Sequence, residues 1–173
     1  MEFQPLPVGV EDFEKFYTEE YYYVDKTLFI KELLDQKAEV NLFTRPRRFG
    51  KTLTLSMLKY FFENAYDFRG NKKNYRCLFE GKKILNAGER YLKHMGQYPV
   101  ISLSLKSGKQ STFESCMTGI RNVIIDEFRR HRYLLNAEYL LEEDKILYQN
   151  PYGADIFLTK SPQKSNSCHD TIS

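Results

Sequence analysis

"VNLFTRPRRFGKTLTLSMLKYFFE", residues 40–63, decides how this chain is read. Its opening belongs to "EVNLFT" (39–44), a short apolar run with no helical period, bounded by charge and by Pro46, which predicts a buried strand. Its second half opens "KTLTLSMLKYFFENAY" (51–66), which predicts a helix. There Leu53, Met57, Phe61 and Ala65 form one apolar stripe, and Leu55, Leu58 and Phe62 widen it. Between the two lies "RPRRFGKT" (45–52). Strand, basic loop and helix in that order is the arrangement of a phosphate-binding loop.

Each part of that loop has a chemical task. Gly50 lets the backbone approach a phosphate with no side chain in the way, and the amides of residues 48–52 sit at a helix start, where unpaired N–H groups and the helix dipole favour an anion. Lys51 is placed to reach terminal phosphates and the Thr52 hydroxyl to ligate Mg²⁺. Arg45, Arg47 and Arg48 add three cations, with no acid among residues 45–51. The loop also departs from the general pattern G-x-x-x-x-G-K-[ST]. Arg45 stands where the first glycine belongs, and Pro46 has no N–H to donate. Taken alone, the stretch also reads as a basic turn at a helix start.

Outward from the loop, "EDFEKFYTEE" suits a short helix with Phe13, Phe16 and Tyr17 on one side. In "YYYVDKTLFIKELLDQ" an extended start gives way to a helix that Asp25 can cap, with Leu28, Phe29 and Leu33 at helical spacing. Residues 67–98 form a mixed connector with a helix near 84–94. "YPVISLSL" (98–105) predicts a second strand, residues 112–132 a long helix, and residues near 136–148 a polar one. "ADIFLT" (154–159) reads equally as a third strand or a helix start. From Ser161 the apolar period vanishes, which predicts a disordered or aberrant tail over 161–173. The expected fold is therefore α/β, a three-layer P-loop arrangement around a mainly parallel and incomplete sheet.

Composition narrows the class. A net charge of +3, from 26 basic and 23 acidic residues, is too mild to mark a nucleic-acid binder by bulk electrostatics. Cys77, Cys116 and Cys168 are too far apart for a disulfide framework or a zinc pair, and His94, His131 and His169 are scattered. No apolar run approaches the roughly 20 residues of a membrane span, and the first residues lack the pattern of a signal peptide, so the expectation is a cytoplasmic protein without a membrane partner.

"LPVGVEDFEKF", "YYYVDKTLFIKELL", the 40–63 stretch and "YPVISLSLK" together resemble the N-terminal part of the predicted AAA-ATPase-like family, whose members often carry a PD-(D/E)XK nuclease-like domain farther on. The resemblance runs from about Leu6 to Lys160, which sets the expected domain at 6–160. In that family "RPRRFGKT" is the usual loop. The resemblance implies ATP and Mg²⁺ as cofactors, contacts from Arg45, Pro46, Arg47, Arg48, Phe49, Gly50, Lys51 and Thr52, and Mg²⁺ on Thr52. It also places "YYYVDKT" where related ATPases pack against adenine, which nominates Tyr23, Val24 and Asp25, residues that a core strand end and a helix cap explain better.

Hydrolysis needs an acid at the end of a second strand. "NVIIDEF" (122–128) offers Asp126 and Glu127, yet Phe113, Met117, Ile120, Ile124 and Phe128 recur at helical spacing, so both acids are expected on a helix. Asp126 and Arg130, and Glu127 and His131, stand four apart, as on an exposed helical face. With no better candidate, the expectation is nucleotide binding without an identified hydrolytic acid, in an N-terminal fragment or a truncated reading frame. Self-assembly or a partner that completes the sheet would then be needed for stability. A second reading takes the arginines to nucleic-acid phosphates or to a protein partner, and a third takes the chain as a remnant without function.

Overall fold

The computed structural model of the chain describes residues 4–44, 46, 49–67, 70–136 and 140–149. The backbone contacts divide it into two units, residues 1–102 and 103–173.

The first unit is built on helices. Helix α1 (Phe13–Thr18) starts at Asp12, whose carboxylate accepts from the Glu14 N–H at 2.9 Å. Helix α2 spans Leu28–Gln36, α3 Lys51–Phe62, and a short α4 Glu89–Leu92. Single 3₁₀ turns form at Arg76–Phe79 and Lys83–Asn86, and the second of these, with α4, stands where the sequence predicts a helix near 84–94. These elements close around Phe13, Ile30, Met57, Phe61, Phe79 and Ile84, all buried. Helix α3 supplies the centre, and its expected stripe points inward at Met57, Phe61 and Ala65, while Leu55 faces solvent. Helix α1 is fastened to α3 by the Phe13 N–H, which donates to Ser56 Oγ at 3.0 Å, and by Tyr60, whose hydroxyl donates to Glu14 at 3.1 Å and Asp12 at 3.3 Å. Burial, then the charges of Asp12 and Glu14, push the Tyr60 phenol well above its usual range, so it stays a donor.

The expected α/β fold with its three layers and parallel sheet is not what forms. Among the described residues there is no strand, and the pairing is confined to isolated bridges, Glu63 with Tyr98 and Tyr66 with Lys72. Residues 39–44 join no ladder: Val40 is 86% and Leu42 85% exposed, while the Phe43 ring lies edge-on to Phe29 of α2 at 4.9 Å. An apolar run signals burial only if a neighbour covers it, and periodicity cannot supply the neighbour. The second expected strand meets a different fate. The N–H groups of Gly96 and Tyr98 donate to the carbonyls of Phe61 (2.8 Å) and Phe62 (2.9 Å), and Asn64 donates to Tyr98 at 2.7 Å. Residues 96–98 thus satisfy the carbonyls left open at the end of α3, which stops at Phe62 rather than near 66. Beyond them Ile101 is exposed. Residues 154–159, read as a third strand or a helix start, and the tail lie outside the described residues.

In the second unit, helix α5 (Phe113–Arg130) is capped by Thr112, whose hydroxyl oxygen accepts from the Ser115 N–H at 3.2 Å. The turn at Leu105–Gly108 packs on it, with Gly108 facing Ile120 and Cys116. Helix α6 (Glu142–Gln149) is tied back by Tyr148, whose ring lies 4.9 Å from Phe128 and whose hydroxyl donates to the Phe128 carbonyl at 2.6 Å. No described helix is long and apolar enough to cross a membrane.

Candidate functional site

Helix α3 opens directly after the basic loop, but among the described residues no strand precedes that loop. Gly50 is its N-cap, with φ 72° and ψ 25°, left-handed geometry in which any other L-residue is strained by about 1–2 kcal/mol. Its carbonyl is turned into the helix, accepting from the Thr54 N–H at 2.8 Å and the Thr54 hydroxyl at 2.9 Å. The first amides of a helix have no partner inside it and point out of its end, carrying the positive end of the dipole. The first turn contains no acid. Lys51 and Thr52 occupy that turn with exposed side chains, Phe49 is 60% exposed and Pro46 is exposed beside it. The structure therefore brings Phe49, Gly50, Lys51 and Thr52 together at one helix end; Arg45, Arg47 and Arg48 lie outside the described residues.

A residue the sequence reading passed over stands at the same point. Lys26 Nζ lies 4.0 Å from where a Cβ on Gly50 would sit. Its neighbours explain how it is held. Thr27 is 0% exposed, and its N–H and hydroxyl donate to Asp25 Oδ1 at 2.8 and 2.7 Å. Asp25 Oδ2 accepts from the Lys83 N–H at 2.8 Å, and Thr27 Oγ1 accepts from the Ile84 N–H at 3.2 Å. Asp25 and Thr27 so pin the start of α2 to the turn at 82–84, leaving exposed Lys26 between them to reach Gly50. Burial raises the Asp25 carboxyl, but the hydrogen bonds from Thr27 and Lys83, with the nearby Lys82 charge, outweigh it and hold the group below its ordinary 3.8.

Of the nominees of that stretch, Val24 is exposed, whereas Tyr23 and Asp25 have structural tasks. The Tyr23 ring meets Phe13 and Phe16 edge-on at 5.4 and 5.5 Å, and its hydroxyl donates to Met57 Sδ at 3.4 Å. Burial pushes its phenol to about 12. Asp25 does serve the start of α2, as capping chemistry predicts, though through Thr27 rather than as the N-cap itself. Asp126 and Glu127 fall inside α5, the helix their spacing predicts. They pair three residues on rather than four: Asp126 with Arg129 at 3.1 Å, and Glu127 with Arg130.

A cavity of about 400 Å³ opens elsewhere in the first unit, but Glu11, Asp12 and Glu19 are among the residues that line it. Those carboxylates, set against Lys15, disfavour an anion there, and none of the described loop residues lines it. Among the described residues no group of three or more His, Cys, Asp or Glu is placed to hold a metal.

The model of the family described as Predicted AAA-ATPase matches residues 7–153. A curated protein of Azotobacter chroococcum mcd 1, named "Uncharacterized protein in vnfD 5'region", is 36% identical over 104 residues, which are 60% of this chain and 17% of that protein. The chain thus spans a small fraction of that relative's length. No solved structure matches it. The family match takes in "YYYVDKT", the loop before α3 and α5 alike, and the chain belongs to the predicted AAA-ATPase family.

Proposed function

We propose that the chain binds a nucleoside triphosphate, ATP in the first instance, together with Mg²⁺, with the phosphates seated at the amino end of α3. The observation that carries this is Gly50: a left-handed glycine caps an acid-free first helical turn immediately before Lys51 and Thr52. The residues fit the ligand. Amides and the Lys51 ammonium meet phosphate oxygens, and the Thr52 hydroxyl is a hard oxygen of the kind Mg²⁺ accepts. Mg²⁺, when bound, neutralises charge on the terminal phosphates. Pro46 and Phe49, with Arg45, Arg47 and Arg48 from the same stretch, complete the loop in this proposal.

Binding is the proposed activity, without a role in turnover for Asp126 or Glu127, which are engaged with arginines of their own helix. Isothermal titration of Mg–ATP into the wild type and Lys51→Ala tests the reading. Removing a charge-assisted contact to phosphate is expected to weaken binding about tenfold or more, with no loss of folding because Lys51 is exposed. Equal affinity of the two proteins would sink it.

A further inference from the structure

The geometry assigns a second phosphate-facing cation to the site: Lys26, from "YYYVDKT", which thereby acts at the phosphate end of the nucleotide rather than against the base. The inference rests on the nucleotide reading above and adds to it a residue distant in sequence from the loop.

Three observations carry it. Lys26 Nζ stands 4.0 Å from the Cβ position of Gly50, on the side where the missing side chain leaves the backbone open. A phosphate approaching that backbone meets the ammonium. The lysine is aimed, because both of its neighbours are fixed: Asp25 by the Thr27 and Lys83 donors, and buried Thr27 by its bond from Ile84. A long side chain whose stem is anchored on both sides loses less freedom on engaging a ligand than one on a mobile loop. Finally, two of the three residues nominated to meet a base, Tyr23 and Asp25, are engaged elsewhere, while Val24 is exposed. Tyr23 packs on Phe13 and Phe16, and the Asp25 oxygens accept from the backbone and from Thr27. What the stretch presents to the loop is positive charge.

The test uses the full chain and compares Lys26→Ala, Lys26→Arg and Lys51→Ala. Mg–ATP, inorganic tripolyphosphate and adenosine serve as probes, each titrated at two salt concentrations. Lys26→Ala is expected to bind Mg–ATP and tripolyphosphate about five- to tenfold more weakly, with a shallower salt dependence. Adenosine binding is expected to be unchanged, Lys26→Arg to recover most of the loss, and the melting temperature without ligand to match the wild type. Loss of adenosine and ATP binding in equal proportion would overturn the assignment in favour of a base contact. Wild-type affinity of Lys26→Ala beside a weakened Lys51→Ala would overturn the role of Lys26 and leave the nucleotide reading standing. Absence of binding by the wild type would overturn both.

Discussion

Truncating Phe61 to alanine is expected to remove about 3–5 kcal/mol of stability, enough to leave the first unit largely unfolded at room temperature or close to it. Phe61 is 0% exposed, in the last turn of α3, with its ring edge-on to Phe79 at 5.5 Å and to Phe62 at 5.1 Å. The cavity left by its ring would lie between α3 and the turn at Arg76–Phe79, elements that Phe13 already wedges from the other side, its ring 5.2 Å from Phe79. Little can move in to fill it, so the loss should fall toward the large end of the range. Leu42→Ala is the matched comparison. A buried strand at 39–44 would make Leu42 a core residue and its truncation costly by about 2–5 kcal/mol. With Leu42 85% exposed, the change is expected to stay within about 0.5 kcal/mol. Urea unfolding of both variants reads the difference directly. Comparable losses at the two positions would contradict the helical core.

The contrast between these two apolar stretches shows what the sequence could tell. The stripe of α3 was legible because a helix satisfies its own backbone, so the spacing of Leu53, Met57 and Phe61 is sufficient to state both the element and the face it buries. For α5 the spacing gave the element, removing Asp126 and Glu127 from a strand end, but not the face, since Phe113 and Phe128 of the expected stripe are exposed and Ile125 is buried. Residues 39–44 and 98–105 carry the composition of strands, but a strand is defined by a neighbour, and that information is not local. The backbone groups at 96–98 went instead to the carbonyls at the end of α3, a use that no apolar pattern announces.

The site divides in the same way. "GKT" at a helix start was readable, since glycine before a helix, then lysine and threonine, is a local pattern, and Gly50 does take the left-handed conformation. Lys26 was not, because its relevance depends on the residues before α2 being brought to the amino end of α3. The "DKT" run holds apolar-flanked polar residues that sequence reading treats as a cap, and for Asp25 and Thr27 that is largely what they are. Only the packing separates the middle residue from its neighbours.

That separation yields the second large effect. Asp25→Ala is expected to destabilise the first unit by about 2–4 kcal/mol, since it strands the Thr27 N–H, the Thr27 hydroxyl and the Lys83 N–H, which now donate to one carboxylate. Thr27 is fully buried, so water cannot replace the lost acceptor at its hydroxyl without opening the contact with Ile84. The carboxyl is held below 3.8 in the folded chain, its hydrogen bonds overcoming the opposing effect of burial. A depressed carboxyl contributes stability that is present above the unfolded-state value of about 3.9 and is lost as pH falls through the lower folded value. Wild-type stability should therefore decline as the medium is acidified below about pH 4, whereas Asp25→Ala should start lower at neutral pH and lose less over that interval. Thermal melts from pH 7 to pH 3 on wild type, Asp25→Ala and Lys26→Ala check this in one series. Lys26→Ala should follow the wild-type curve, because its ammonium takes no part in the clamp between α2 and the turn at Lys83–Asn86. Parallel curves for Asp25→Ala and wild type would show that the carboxylate contributes nothing to the acid transition, and a Lys26→Ala melt as low as that of Asp25→Ala would make the whole stretch structural.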